Sequence, residues 1–341
     1  MRVVIAPDSF KGSIAARDAA AAIADGWRSR RPVDDIRLLP QADGGEGTID
    51  AIETAMPGAI RRPAGQVTGP DGRPVEADWL QLPDGTAVVE LAQSSGIALM
   101  AGLDPLDAST RGLGEVIAAA LDDGARALVI GLGGSASTDG GAGALEALGG
   151  RPAPPGGVTL LTDVSAPLLG PTGAAAVFGP QKGATPADVE ALEGRLRAWA
   201  ARFPGADPTT PGAGAAGGTA FGFLAAWGAR LEPGAAAIAQ LTGLTAALSG
   251  TDLLVTGEGR FDATSLTGKV VGHAFRAARA AGVTRVVVIA GQVAIAPPSL
   301  ETTATASLSL STLAGSAEAA LADPATWLRR AGAEAAAQLE A

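Results

Sequence analysis

Three stretches of this chain end apolar runs in residues able to do chemistry. APDSFKGS (6–13) closes the run RVVIA with Asp8, Ser9, Lys11 and Ser13. QADGGEGT (41–48) follows DIRLLP with Asp43, Glu46 and Thr48, and TGEGRFDATSLTGK (256–269) follows DLLV with Glu258, Arg260, Asp262, Thr267 and Lys269. Carboxylates, a few cations, hydroxyls and glycine-exposed backbone amides are the inventory of phosphoryl transfer, in which the protein positions reactants and neutralises charge. On this reading Lys11 and Arg260 neutralise anionic oxygens, while Asp8, Asp43 or Glu258 hold Mg2+ or accept the proton of the attacking hydroxyl.

A fourth stretch, GLGGSASTDGGAG (131–143), has six glycines in thirteen residues between the apolar ARALVI and the helical ALEALG. In that context a glycine-rich turn can present amides and a helix N-terminus to an anion. The competing explanation is a corner where glycine lets a helix pack close to a sheet. The segment lacks the Gly-Lys-Ser/Thr ending of a Walker loop and the spacing of a dinucleotide fingerprint. The cradle reading has Gly133 and Gly134 offer amides while Ser135 and Asp139 orient ligand oxygens. A hydrolytic triad fits poorly, because there is no cysteine and the sole histidine, His273, falls in a helical pattern.

These residues need elements to carry them. RVVIA (2–6), DIRLLP (35–40), DLLVTG (252–257), RVVVIAG (285–291) and TATASLSL (303–310) read as strands, several of them continuous apolar runs buried on both faces. They alternate with helical patterns at 15–30, 45–56, VVGHAFRAARAAG and 317–341, which predicts βαβ units and a parallel sheet. The middle differs: AIRRPAGQVTG, PVEADWLQL and GTAVVELAQ are separated by PDGRP and PDG, turns that favour antiparallel hairpins. Further patterns at 112–124, 127–134, 158–164 and 187–203 predict more helices and strands there. The expectation is an α/β protein of two dissimilar α/β domains. One is a Rossmann-like parallel sheet with helices on both faces, from residues 1–58 and 250–341; the other is an inserted mixed α/β domain, 59–249. In open α/β sheets ligands gather beyond the carboxyl ends of strands, where the charged stretches fall.

Composition narrows the partners. A formal net charge of −10 over 341 residues disfavours nucleic acid and anionic membrane, which need a basic face. No window of about 20 residues is apolar and uncharged enough to span a bilayer. MRVVIAPDSF has no signal-peptide character, so the cytoplasm is the expected compartment. Monomer and homodimer both stay open.

The ordered set APDSFKGS, ADGGEGT, GLGGSASTDGGAG, TDV (162–164), VFGPQKGA (177–184), PGAGAAGG (211–218) and TGEGRFDATSLTGK resembles the signatures of the type I bacterial glycerate kinases, from the N-terminus to about residue 270. The resemblance implies ATP- and Mg2+-dependent phosphorylation of D-glycerate, commonly to 2-phosphoglycerate, in a cleft between two α/β domains. It places Asp8, Ser9, Lys11, Asp43, Gly44, Gly45, Glu46, Ser135, Asp139, Asp163, Gln181, Lys182, Glu258, Arg260 and Asp262 in matching signatures. Asp8, Lys11, Asp43 and Arg260 are then the expected catalytic groups and Asp163 and Glu258 the expected metal ligands. Ser9, Gly44, Gly45, Glu46, Gly133, Gly134, Ser135, Asp139 and Lys182 are expected to bind substrate or phosphate. Thr264 stands where the family usually has Gln, and Arg111 where it often has Tyr. The alternatives are a kinase for another small hydroxy acid or sugar acid, and a non-catalytic small-anion binding protein.

Overall fold

The computed structural model describes residues 1–267, 269–294 and 304–338. It divides into two compact units: one of Met1–Asp43, Asp50–Pro57 and Ala235–Ala341, and one of Gly44–Ile49 and Gly58–Gly234.

The first unit is built on a parallel sheet of β1 (Arg2–Ile5), β2 (Asp35–Leu38), β9 (Leu253–Phe261), β10 (Val286–Val293) and β11 (Ala306–Ser309), numbered by chain order and arranged β11-β10-β9-β1-β2. The runs 3–5, 253–255 and 286–290 in its three central strands are apolar because both faces are covered there. Val3, Ile5, Leu253, Val255, Val287 and Ile289 pack on one face with Ile23, Trp27 and Leu328 from helices Ala16–Arg28 and Pro324–Ala337. The alternate residues Val4, Leu254, Val286 and Val288 face the other way, against Leu248, Val271 and Phe275. This period-two division is the reason a continuous apolar run becomes a central strand rather than half of an exposed one.

The second unit carries a mixed sheet ordered β3-β4-β5-β6-β7-β8, from β3 (Ile60–Thr68), β4 (Pro74–Gln81), β5 (Thr86–Glu90), β6 (Ala127–Gly131), β7 (Val158–Leu161) and β8 (Arg230–Glu232). The Pro-Asp-Gly turns make β3, β4 and β5 antiparallel neighbours; β5 to β8 run parallel through helical crossovers. Trp79, Leu113, Ile117, Leu128, Ile130, Leu160 and Phe223 form the centre of its core. The α/β class, with one parallel and one mixed sheet, is therefore as the sequence predicts.

Apart from Gly58, which falls with the second unit, the unit limits differ from the expected boundaries at two places. Residues 235–249, expected within the inserted domain, cluster with the first unit, because Ala239, Leu244 and Leu248 complete the apolar face beneath Val4 and Leu254. Gly44–Ile49, expected with the first domain, clusters with the second: Gly133 donates to the Gly44 carbonyl at 3.1 Å and the Ile49 amide donates to buried Glu90. The three-residue β8 and the helix Thr219–Trp227 have no distinct signal in the sequence. Thr303 and residues 339–341, which the sequence reading places in a strand and a helix, lie outside the described residues. No helix among the described residues is long and apolar enough to cross a membrane.

Candidate active site

The parallel ladder of the first unit continues past the nominal end of β1. Ala6 donates to the Val255 carbonyl and Asp8 to the Gly257 carbonyl, both at 2.8 Å, while buried Thr256 bonds back to the Ala6 carbonyl at 2.9 Å. These bonds carry APDSF outward beside GEGRF, so that Asp8 and Glu258 emerge from adjacent strand ends. Gly257 permits this crowding: a Cβ there would lie 1.7 Å from the Ile289 carbonyl oxygen of β10. Asp43 arrives after β2, where Gln41 donates from its backbone to Pro7 and from its buried amide to the Leu39 carbonyl and to Thr242.

A pocket of about 440 Å3 opens at these strand ends. The expected residues Asp8, Ser9, Lys11, Asp43, Glu258 and Arg260 all line it, together with Ser13, Asp262 and Lys269. Asp8 accepts from the Ser9 amide at 2.7 Å. Loss of water around its carboxyl, reinforced by the charge of Asp43, pushes its pKa up to about 7, although the Ser9 amide and Lys11 oppose the shift. Burial likewise raises Glu258, whose Oε1 is buried and finds no hydrogen-bond partner among the described residues. Arg260 is exposed; it donates to Gln292 at 3.1 Å and lies 3.5 Å from Asp262.

Among the described residues no three His, Cys, Asp or Glu side chains gather as a ready-made metal cage. Mg2+ does not require one, since it is usually held by one or two carboxylates with water and substrate phosphates completing the octahedron. The unpartnered oxygen of Glu258, in a pocket it shares with Asp8 and Asp43, fits such a cation. Asp163, the other expected metal ligand, lies in the second unit, where its carboxylate accepts from the Gly234 amide at 3.0 Å.

The glycine-rich stretch belongs to the second unit, and its geometry is mostly that of a packed corner. A Cβ on Gly131 would meet the Gly44 carbonyl at 2.5 Å, and one on Gly133 would meet the Gly45 Cα at 2.4 Å. The following helix is only Ala142–Ala147, and its first amides are already satisfied. Asp139 accepts from the amides of Gly141 and Gly143 and from both the amide and hydroxyl of Thr110; Thr110 in turn accepts from the Ala144 amide at 3.0 Å. Asp139 thus positions the loop, and the helix N-terminus is closed by side chains of the chain itself. Gly134 and Glu46 are exposed, with Gly134 at φ +76°.

Beside this corner sits Lys182, 3% exposed, which donates to the Ser137 carbonyl and lies 3.5 Å from the Ser135 hydroxyl. Burial pulls its ammonium down to about 8, against the opposing charge of Asp139. A buried cation lined by two serines is what remains of the anion-binding reading in this unit. Sequence reasoning missed Thr110 and Ser137, which carry no pattern beyond ordinary loop hydroxyls. It also missed the aliphatic lining of the first pocket: Leu310, which reads as the end of a strand, and Ala317, Ala320, Leu321 and Pro324, which read simply as helix.

A parallel-sheet unit with carboxylates and cations gathered in a pocket at its strand ends, in a chain whose other unit carries a mixed α/β sheet, has the layout of an α/β enzyme. The sequence profile of the glycerate kinase family matches residues 3–155 and 154–340, and the chain belongs to that family of kinases. It is 42% identical to the glycerate kinase of Bacillus subtilis over 79% of each chain, and 38% identical to the glycerate 2-kinase of Escherichia coli over 79% of this chain and 80% of that one. A crystal structure of a Salmonella typhimurium protein assigned as glycerate kinase 2 superposes with a TM-score of 0.82 at 35% identity, covering 100% of this chain and 98% of that one.

Proposed function

We propose that this kinase transfers the γ-phosphoryl group of ATP, with Mg2+, to D-glycerate, and that the product is 2-phosphoglycerate. The observation that carries the reading is Asp8: a carboxylate with a pKa near 7 in a pocket with three further carboxylates, Asp43, Glu258 and Asp262, and the cations Lys11, Arg260 and Lys269. The relatives' names support the acceptor, and the Escherichia coli relative supports the position of transfer.

Asp8 takes the proton of the attacking hydroxyl. The hydroxyl oxygen bonds to the γ-phosphorus as the bond to the β,γ-bridging oxygen breaks, and ADP leaves with that electron pair. A base with pKa near the working pH is half ionised and still basic enough to draw the proton. Lys11 and Arg260 hold anionic oxygens and balance charge that develops during transfer. Glu258 and Asp43 hold Mg2+, which supplies neutralisation of the phosphate oxygens when bound. In the other unit, Lys182 and Ser135 are a buried cation and hydroxyl suited to an anionic oxygen. Gly44, Gly45 and Gly133 shape that corner by close backbone approach.

An ADP-release assay with Mg-ATP and D-glycerate, followed by phosphorus NMR of the product, tests this. Glycerate-dependent ADP with the 2-phosphoglycerate resonance is the expected result. Turnover with another hydroxy acid but not glycerate, or binding without ATP consumption, overturns it.

A further inference from the structure

The pocket at the strand ends of the first unit is lined by two kinds of residue from different elements. One kind is charged, with Lys11, Arg260 and Lys269 among its cations. The rest of the lining includes Leu310, Ala317, Ala320, Leu321 and Pro324, which come from the helices Leu310–Ala314, Ala317–Ala322 and Pro324–Ala337 and carry no polar side-chain atom. Its volume of about 440 Å3 lies within the roughly 300–1,000 Å3 range of sites that bury drug-sized ligands, far beyond what a seven-heavy-atom acid fills. A small polyhydroxy acid also has nothing to offer an aliphatic wall.

That wall is held in place. The short helix Ala317–Ala322 is capped by Ser316, whose hydroxyl accepts from the Ala319 amide at 3.1 Å, and its Ala319 carbonyl accepts from the Trp327 indole at 3.1 Å. Asp323 then caps the helix Pro324–Ala337 through the Thr326 amide. Leu310 and Ala320 are buried, yet Leu321 is 59% exposed, one of the few large apolar side chains left open to solvent among the described residues. A large aliphatic side chain left exposed in the lining of a charged pocket is hydrated at a cost that burial against a flat apolar ligand recovers.

We infer that the Leu310–Pro324 wall is a nucleobase subsite, so that a nucleoside polyphosphate lies across this pocket with its base on Ala317 and Leu321 and its phosphates toward Lys11, Lys269 and Arg260. This rests on the reading that the phosphoryl donor is a nucleotide. The division of the pocket matches the division of such a ligand: an apolar, planar end and a polyanionic end. Aliphatic side chains accept the face of a purine without reading its edge, so the subsite favours purine over bare phosphate more than it separates one purine from another.

Calorimetric titration of ADP and of inorganic pyrophosphate, each with Mg2+, into the full chain tests the inference directly. The unmodified protein binds ADP at least about tenfold more tightly than pyrophosphate if the base contributes. Leu321→Ser removes the exposed face and Ala317→Leu fills the space; each weakens ADP by about tenfold and leaves pyrophosphate within about twofold. Equal affinity for ADP and pyrophosphate, or a parallel loss of both in the variants, overturns the subsite. Leu321 is a surface position, so folding of that variant, checked by circular dichroism, is expected to be unchanged. Failure of the functional reading has a different signature: no glycerate-dependent ADP release from the unmodified protein, whatever its affinity for ADP.

Discussion

The Asp8 amide donates to the Gly257 carbonyl at 2.8 Å, three residues beyond the end of β1 and one rung past the Ala6–Val255 bond. That single bond aligns two loops that are about 250 residues apart in sequence, and it sets the Asp8 carboxylate beside the strand end that carries Glu258. The charge of Glu258 adds to burial and Asp43 in raising Asp8.

Asp8→Asn is expected to lower kcat by about 10^2- to 10^4-fold, the range for removal of a general base, with the fold retained. It also has a thermodynamic signature. The folded-state pKa of Asp8 is near 7 against an ordinary 3.8, so the folded chain binds more protons than the unfolded chain between those values. Stability contributed at Asp8 therefore falls as pH rises from about 4 to 7. The Asn variant, which never ionises, should melt higher than the unmodified protein at pH 8 and show no such gain at pH 4. Thermal unfolding at the two pH values checks this; an equal shift at both removes the strained carboxylate from the account.

The same ionisation governs turnover. In kcat/KM for glycerate, one deprotonation with an apparent pKa near 7, that of Asp8, should appear on the acid limb. Asp8→Asn should abolish that limb. An acid limb below about pH 5, where ordinary carboxylates titrate, is the contrary result.

Lys182→Met tests the buried cation of the second unit. Its folded-state pKa near 8 lies below the ordinary 10.5, so the unfolded chain binds more protons between those values and stability rises with pH across that window. At pH 7 the buried charge is a cost, and the variant should be no less stable while losing about 10- to 100-fold in kcat/KM. A variant that loses stability but keeps its activity would make Lys182 a structural residue.

Gly257→Ala and Asp139→Ala should fail through structure. The first places a Cβ 1.7 Å from the Ile289 carbonyl oxygen and is expected to cost roughly 3–5 kcal/mol by forcing β9 from β10. The second leaves the amides of Gly141, Gly143 and Thr110 without their acceptor, at about 2–3 kcal/mol. Urea unfolding measures both, and a destabilised but catalytically competent Asp139→Asn would confirm that Asp139 acts by holding the loop.

Much of the first unit was open to reading in the sequence, because RVVI, DLLV and RVVVIA are continuous apolar runs that only a sheet covered on both faces can bury. The charged residues that follow each run fall at the carboxyl end of a parallel sheet, which is why Asp8, Lys11, Asp43, Glu258 and Arg260 line one pocket. The hairpins of the second unit were legible from two Pro-Asp-Gly turns. The role of the glycine-rich stretch was not. A glycine has the same letter whether its missing Cβ admits a phosphate or another backbone, and only the approach of Gly44 and Gly45 to Gly131 and Gly133 distinguishes the two. Likewise, nothing in a Leu or Ala of a helical pattern says that it faces a charged pocket rather than a core. Local pattern determined the elements and their order, since periodicity and turn chemistry act over a few residues. Only tertiary contact decided which donors were already spent, which carboxylate lost its water and which apolar face was left open, because each depends on what distant parts of the chain bring alongside.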